Sequence, residues 1–107
     1  MKTLKFMPYL VAPVLSGEKT STWRLFDDKN LEKGDKLSLV NKSTSEEFAK
    51  AVITKVEEKK LKELEEDDFE GHEKYKDQAD MLNHYKSYYG DKVSLDTIVK
   101  MVGFNLI

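Results

Sequence analysis

The chain contains no cysteine. Disulfides, thiolate metal sites and a cysteine nucleophile are therefore excluded, and a cytoplasmic location is the natural expectation. Proline occurs only at positions 8 and 13, and glycine five times. No repeat, low-complexity tract or linker is visible, so one domain over residues 1–107 is expected. Long apolar runs are missing as well. The stretch 6–15 is broken by both prolines and is too short to span a bilayer. It is followed by Ser16-Gly17-Glu18-Lys19, a poor signal-cleavage site. No membrane partner is expected. An excess of positive charge is also lacking, since the formal net charge is −2. A protein that coats nucleic acid is normally basic over a face. DNA is not expected as a partner, and any RNA contact needs a local patch.

What is present is enough for a core. Hydrophobic residues make up 39% of the chain, with five Phe, five Tyr and one Trp, against 36% charged residues. That content argues against disorder. Residues 3–7 read as a first strand. Leu10, Val11, Val14 and Leu15 follow helical spacing after Pro8, and Gly17 ends the helix. Residues 20–26 alternate as a strand, with Ser21, Trp23 and Leu25 on one face and Thr20, Thr22 and Arg24 on the other. Residues 36–40 and 48–56 read as further strands, the second with a bulge. The charged stretch 57–70 reads as a solvated turn and short helix. Tyr75, Ala79, Leu82, Tyr85 and Tyr89 mark an amphipathic helix over 73–89, capped by Gly90. An apolar strand follows at 98–106. This order predicts an α+β fold, a partial β-barrel of mixed strands with two main helices. Trp23, Leu25, Leu37, Leu39, Val52, Val99 and Phe104 are expected in one core.

The most informative stretch is Gly17-Glu18-Lys19-Thr20-Ser21-Thr22-Trp23-Arg24. A glycine turn there leads into a strand carrying two threonines, a serine and an arginine, with a lysine at the entrance. A threonine hydroxyl becomes a nucleophile only beside a base. A lysine can be that base if burial or a neighbouring cation lowers its pKa. Arg24 is such a cation if it faces the same cleft. His72 and His84 are the only histidines and show no ligand spacing, so no metal and no cofactor is expected. At helical spacing Tyr75, Tyr85 and Tyr89 are assigned to packing, and Tyr88 is left open between packing and base stacking.

The same octapeptide resembles the GxKxxxxR signature of the ASCH family. The resemblance continues in order through Leu15-Ser16-Gly17, the segment 33–40, the acidic stretch 64–75, Tyr88-Tyr89-Gly90 and the closing segment 99–104. It implies a PUA-like barrel. It also implies a cleft that takes a modified nucleoside or RNA base. Amidohydrolases of that family remove the acetyl group of N-acetylcytidine with a lysine, a threonine and a glutamate. The resemblance places the lysine on Lys19, the threonine on Thr22 and the signature arginine on Arg24. It places the glutamate on Glu70, with Glu73 as the competitor. Lys19, Thr22 and Glu70 are thus the expected catalytic residues, and Gly17, Arg24, His72 and Glu73 the expected substrate contacts. Either Lys19 or the glutamate could serve as base, the other stabilising charge. The alternative is a non-catalytic RNA-binding module built on the same cleft.

Overall fold

The computed structural model describes residues 1–107. Strand β1 (Lys2–Phe6) leads into helix α1 (Pro8–Ser16), and β2 (Ser21–Leu25), β3 (Lys36–Asn41) and the long β4 (Glu47–Lys60) follow. Two 3-10 turns, 61–63 and 66–69, precede helix α2 (Gln78–Tyr89) and the last strand β5 (Ile98–Leu106). The five strands form one sheet in the order β1-β3-β4-β5-β2. β1 runs parallel to β3, and every other pair is antiparallel. The result is the expected α+β partial barrel of mixed strands with two main helices. No helix is long and apolar enough to cross a membrane.

The core departs from the expectation. It is divided between the two faces of the curled sheet. Leu4, Phe6, Leu37, Leu39, Ala51, Ile53, Val102 and Phe104 bury on one side, joined by Val14 of α1. Trp23, Leu25, Val99 and Met101 bury on the other, against Met81 and Tyr85 of α2. Strand β5 supplies both sets, because successive residues of a strand point to opposite faces. Val52 is only partly buried, and its neighbours Ala51 and Ile53 point to the core instead.

Strand β4 also runs further than its composition suggests. Its first half pairs with β3 and its second half continues along β5 to Lys60, after an irregularity between Ile53 and Lys55. The charged residues 57–60, expected in a turn, are therefore strand. Helix α2 begins at Gln78 rather than at residue 73. Asp77 caps it by accepting the Asp80 N–H at 2.8 Å. Residues 73–77 stay outside the helix, which leaves Glu73 and Tyr75 free to turn toward β2.

Candidate functional site

The edge strands of the open barrel are β1 and β2. Arg24 spans the seam between them. Its terminal nitrogen donates to the Lys5 carbonyl at 3.0 Å, and its Nε donates to Thr22 Oγ1 at 3.1 Å. The guanidinium lies 5.0 Å from the centre of the Phe6 ring. A cleft of about 200 Å³ opens at this seam, walled by Lys19, Thr22, Arg24, His72, Glu73 and Tyr75.

Three local devices position those walls. Gly17 closes α1 in the left-handed region, at φ 85°, and its N–H donates to the Val14 carbonyl. The chain then turns back so that Lys19 N donates to the Pro13 carbonyl at 3.0 Å. Gly71 is the second device. Its carbonyl accepts the N–H groups of Thr20 at 2.9 Å and Ser21 at 3.2 Å. It sits at φ 72°, and a side chain there would overlap the Thr20 hydroxyl. The segment after it is thus held against the start of β2. The third device is the His72 ring, which stacks on Trp23 with centroids 3.9 Å apart and planes 14° apart. Trp23 Nε1 is the one buried side-chain nitrogen or oxygen without a hydrogen-bond partner.

The electrostatics follow from burial. Lys19 is 4% exposed, and its Nζ donates to Glu73 Oε2 at 2.5 Å. Burial lowers the Lys19 pKa, the Glu73 carboxylate opposes that shift, and Arg24 adds to it. Burial likewise lowers the pKa of Arg24. Glu73 is pushed up by burial, but His72 and Lys19 outweigh this and hold it below the ordinary glutamate value. His72 is pushed down to about 4 by burial, with Lys19 adding to the shift. It is therefore neutral near pH 7. Its Nδ1 lies 2.8 Å from the Glu73 carbonyl, which can only accept, so Nδ1 carries the proton and Nε2 is left as an acceptor.

The structure brings together five of the seven expected site residues: Lys19, Thr22, Arg24, His72 and Glu73. The other two lie elsewhere. Gly17 does not line the cleft and acts through the turn that carries Lys19. Glu70 lines a separate groove with Thr20, Ser21, Asp67 and Asp68. The Gly71 turn separates the two carboxylates, so the partner of Lys19 is Glu73 and not Glu70. Tyr75 does pack, edge-on to Tyr85, but it also walls the cleft. Tyr88 stands at the mouth with its hydroxyl 3.3 Å from that of Tyr9. Sequence reasoning missed Tyr9, His84, Lys5 and Lys42, all of which line the cleft. Isolated tyrosines and lysines carry no spacing signal; only strand pairing and helix placement collect them.

No protein-family model matches the chain, and no curated protein does. Solved structures do. Protein EF3133 from Enterococcus faecalis V583, of the family model DUF984, superposes with a TM-score of 0.72 at 21% identity, over 92% of this chain and 70% of that one. An ASCH domain from Lactobacillus crispatus superposes with a TM-score of 0.70 at 16% identity, over 92% and 70%. The hypothetical protein PH0355 matches over the whole of both chains, with a TM-score of 0.74 at 18% identity. The chain thus has the fold of ASCH-domain proteins.

Proposed function

On the premise of an ASCH-type fold, we propose that the seam cleft hydrolyses the N-acyl group of a cytidine-like base. The observation that carries this reading is the ion pair between the buried Lys19 and the half-buried Glu73, in a cleft that Thr22 also lines. Thr22 is the nucleophile. Its oxygen already accepts from Arg24 Nε, so its hydroxyl proton is the one to be given away. Lys19 takes that proton as it hands its own to Glu73, which is ionised at rest. Burial is the largest influence on Lys19 and lowers its pKa, which is what a lysine base requires. The short contact to Glu73 gives the lysine's own proton a place to go.

The threonine oxygen attacks the acyl carbon and the C–N bond breaks. Glu73, now holding a proton, delivers it to the departing exocyclic amine. The acyl group remains as an ester on Thr22. Water then attacks that ester, gives the carboxylic acid and restores the hydroxyl. Arg24 fixes the threonine oxygen and adds positive charge beside the carbonyl as it becomes an oxyanion.

The test is incubation of the protein with N-acetylcytidine, reading free cytidine and the intact protein mass. The expected result is cytidine release with an acetyl adduct on Thr22 at early times. A protein that releases no cytidine overturns the reading. Tyrosines at the cleft mouth favour a second reading, a non-catalytic module that holds an RNA base. Base binding without any turnover would select it.

A further inference from the structure

Four cations line the seam cleft, namely Lys5, Lys19, Arg24 and Lys42, against the single carboxylate of Glu73. Lys19 takes that carboxylate. Arg24 touches only neutral groups, the Thr22 hydroxyl, the Lys5 carbonyl and the Phe6 ring. Lys5 and Lys42 form no ion pair. Other exposed lysines of the chain are likewise unpaired; what distinguishes these two is that both line the cleft. The strand pairing brings the two lysines together. Parallel pairing puts Lys5 opposite Val40 and Phe6 opposite Asn41, and Lys42 N then donates to the Phe6 carbonyl at 2.8 Å. Lys5 and Lys42 therefore sit on neighbouring strand ends, and Arg24 reaches the same spot across the seam.

Four cations against one carboxylate give this cleft a positive surplus in a chain of net charge −2. A concave site lined by one sign of charge focuses the field on whatever enters it. The size of the cleft points the same way. Its volume of about 200 Å³ falls below the roughly 300–1,000 Å³ of pockets that enclose a whole small ligand. A base and its acyl group occupy such a space, and the sugar and its substituents are left at the rim.

We infer that Lys5 and Lys42 form a phosphate subsite, and that the ligand is a cytidine-like unit carrying a phosphate ester rather than a bare nucleoside. The phosphate is either a terminal monophosphate or the backbone of a strand. Arg24 stays with Thr22, and the two exposed lysines offer mobile point charges to the phosphate oxygens at the rim. The inference rests on the proposed cytidine-like ligand, and its test separates the two.

The test is calorimetric titration of the whole protein with cytidine, cytidine 5′-monophosphate and a cytidine trinucleotide at low salt. A phosphorylated ligand should bind about tenfold tighter than cytidine. The advantage should shrink as salt is raised. It should vanish in Lys5→Gln/Lys42→Gln and survive in Lys5→Arg/Lys42→Arg, which keeps the charge and controls for folding. An advantage of the monophosphate identifies a terminal phosphate. An advantage of the trinucleotide alone identifies a chain phosphate. Equal affinities for all three ligands, no binding of any, or an advantage that survives in the glutamine pair would each overturn the subsite. Hydrolysis of N-acetylcytidine is read separately. Phosphate preference without hydrolysis removes the proposed reaction and keeps the subsite; hydrolysis without preference does the reverse.

Discussion

The seam cleft and the groove beside Glu70 share Trp23 as a wall, and both are bounded by the Gly71 turn, yet they differ in charge. The cleft gathers four cations and one carboxylate. The groove gathers Glu57, Asp67, Asp68 and Glu70 with only Lys55. Two of its acids are spoken for, Glu57 by Lys55 and Asp68 by Lys59. The cleft has the opposite surplus. Its cations outnumber its acids, and its one ion pair contains a lysine that is almost wholly buried. Two carboxylates three residues apart, Glu70 and Glu73, fall on different sides of this divide. Proximity in sequence to a plausible motif therefore says little about which acid serves a site. The backbone turn between them decides it.

The largest effects should come from the cleft's own chemistry. Lys19→Ala and Thr22→Val should each cost roughly 10²–10⁴-fold in N-acylcytidine hydrolysis. Their effects should not add, because the two act as one unit. Thr22→Val also removes the acceptor of Arg24 Nε, so Thr22→Ser is the informative partner. It should keep measurable turnover, read by steady-state kinetics.

The next largest effect concerns the divide itself. Gly71→Ala places a methyl group against the Thr20 hydroxyl at a positive φ. A loss of about 1–3 kcal/mol in denaturant stability is expected. Activity should fall further than stability alone explains, because the same turn sets His72 and Glu73.

A smaller effect is expected from His72. Its folded-state pKa of about 4 lies below the ordinary histidine value of 6.5. Between those values the unfolded chain binds the proton and the folded chain does not. Stability contributed by the neutral ring is thus fully present above pH 6.5 and is lost as pH falls toward 4. Glu73 acts in the same direction at lower pH, since its depressed pKa means stability is lost as pH falls through it. Urea denaturation at pH 7 and pH 4.5 should show the loss, on the order of 2 kcal/mol. His72→Phe keeps a flat ring on Trp23 and should lose less over the same interval.

The two sides of the divide were not equally legible in the sequence. The β2 side was readable from its alternation. Thr22 and Arg24 do share a face, and Trp23 and Leu25 do point the other way into the α2 core. The alternation says nothing of the partner layers, so one core was expected where the sheet has two. The 57–77 side carries a weaker local signal. Residues 57–60 carry the charge of a turn, yet they are held in a strand by their register with Met101, Lys100, Val99 and Ile98 of β5. That is a long-range cause with no local signature. The start of α2 did have one. Asp77 followed by Asp80 marks a helix N-terminus, and weighing it against the tyrosine stripe would have freed residues 73–77 from the helix. The unpaired Lys5 and Lys42 are 37 positions apart in the chain and meet only through the β1–β3 pairing.

The most direct measurement compares Glu73→Gln with Glu70→Gln in hydrolysis of N-acetylcytidine, with the fold of each checked by circular dichroism. Glu73→Gln should lose roughly 10²–10⁴-fold in rate, and Glu70→Gln should stay within about twofold of the parent, as expected for an exposed polar change away from the site. Equal losses, or a larger loss in Glu70→Gln, would contradict the placement of the reaction in the seam cleft.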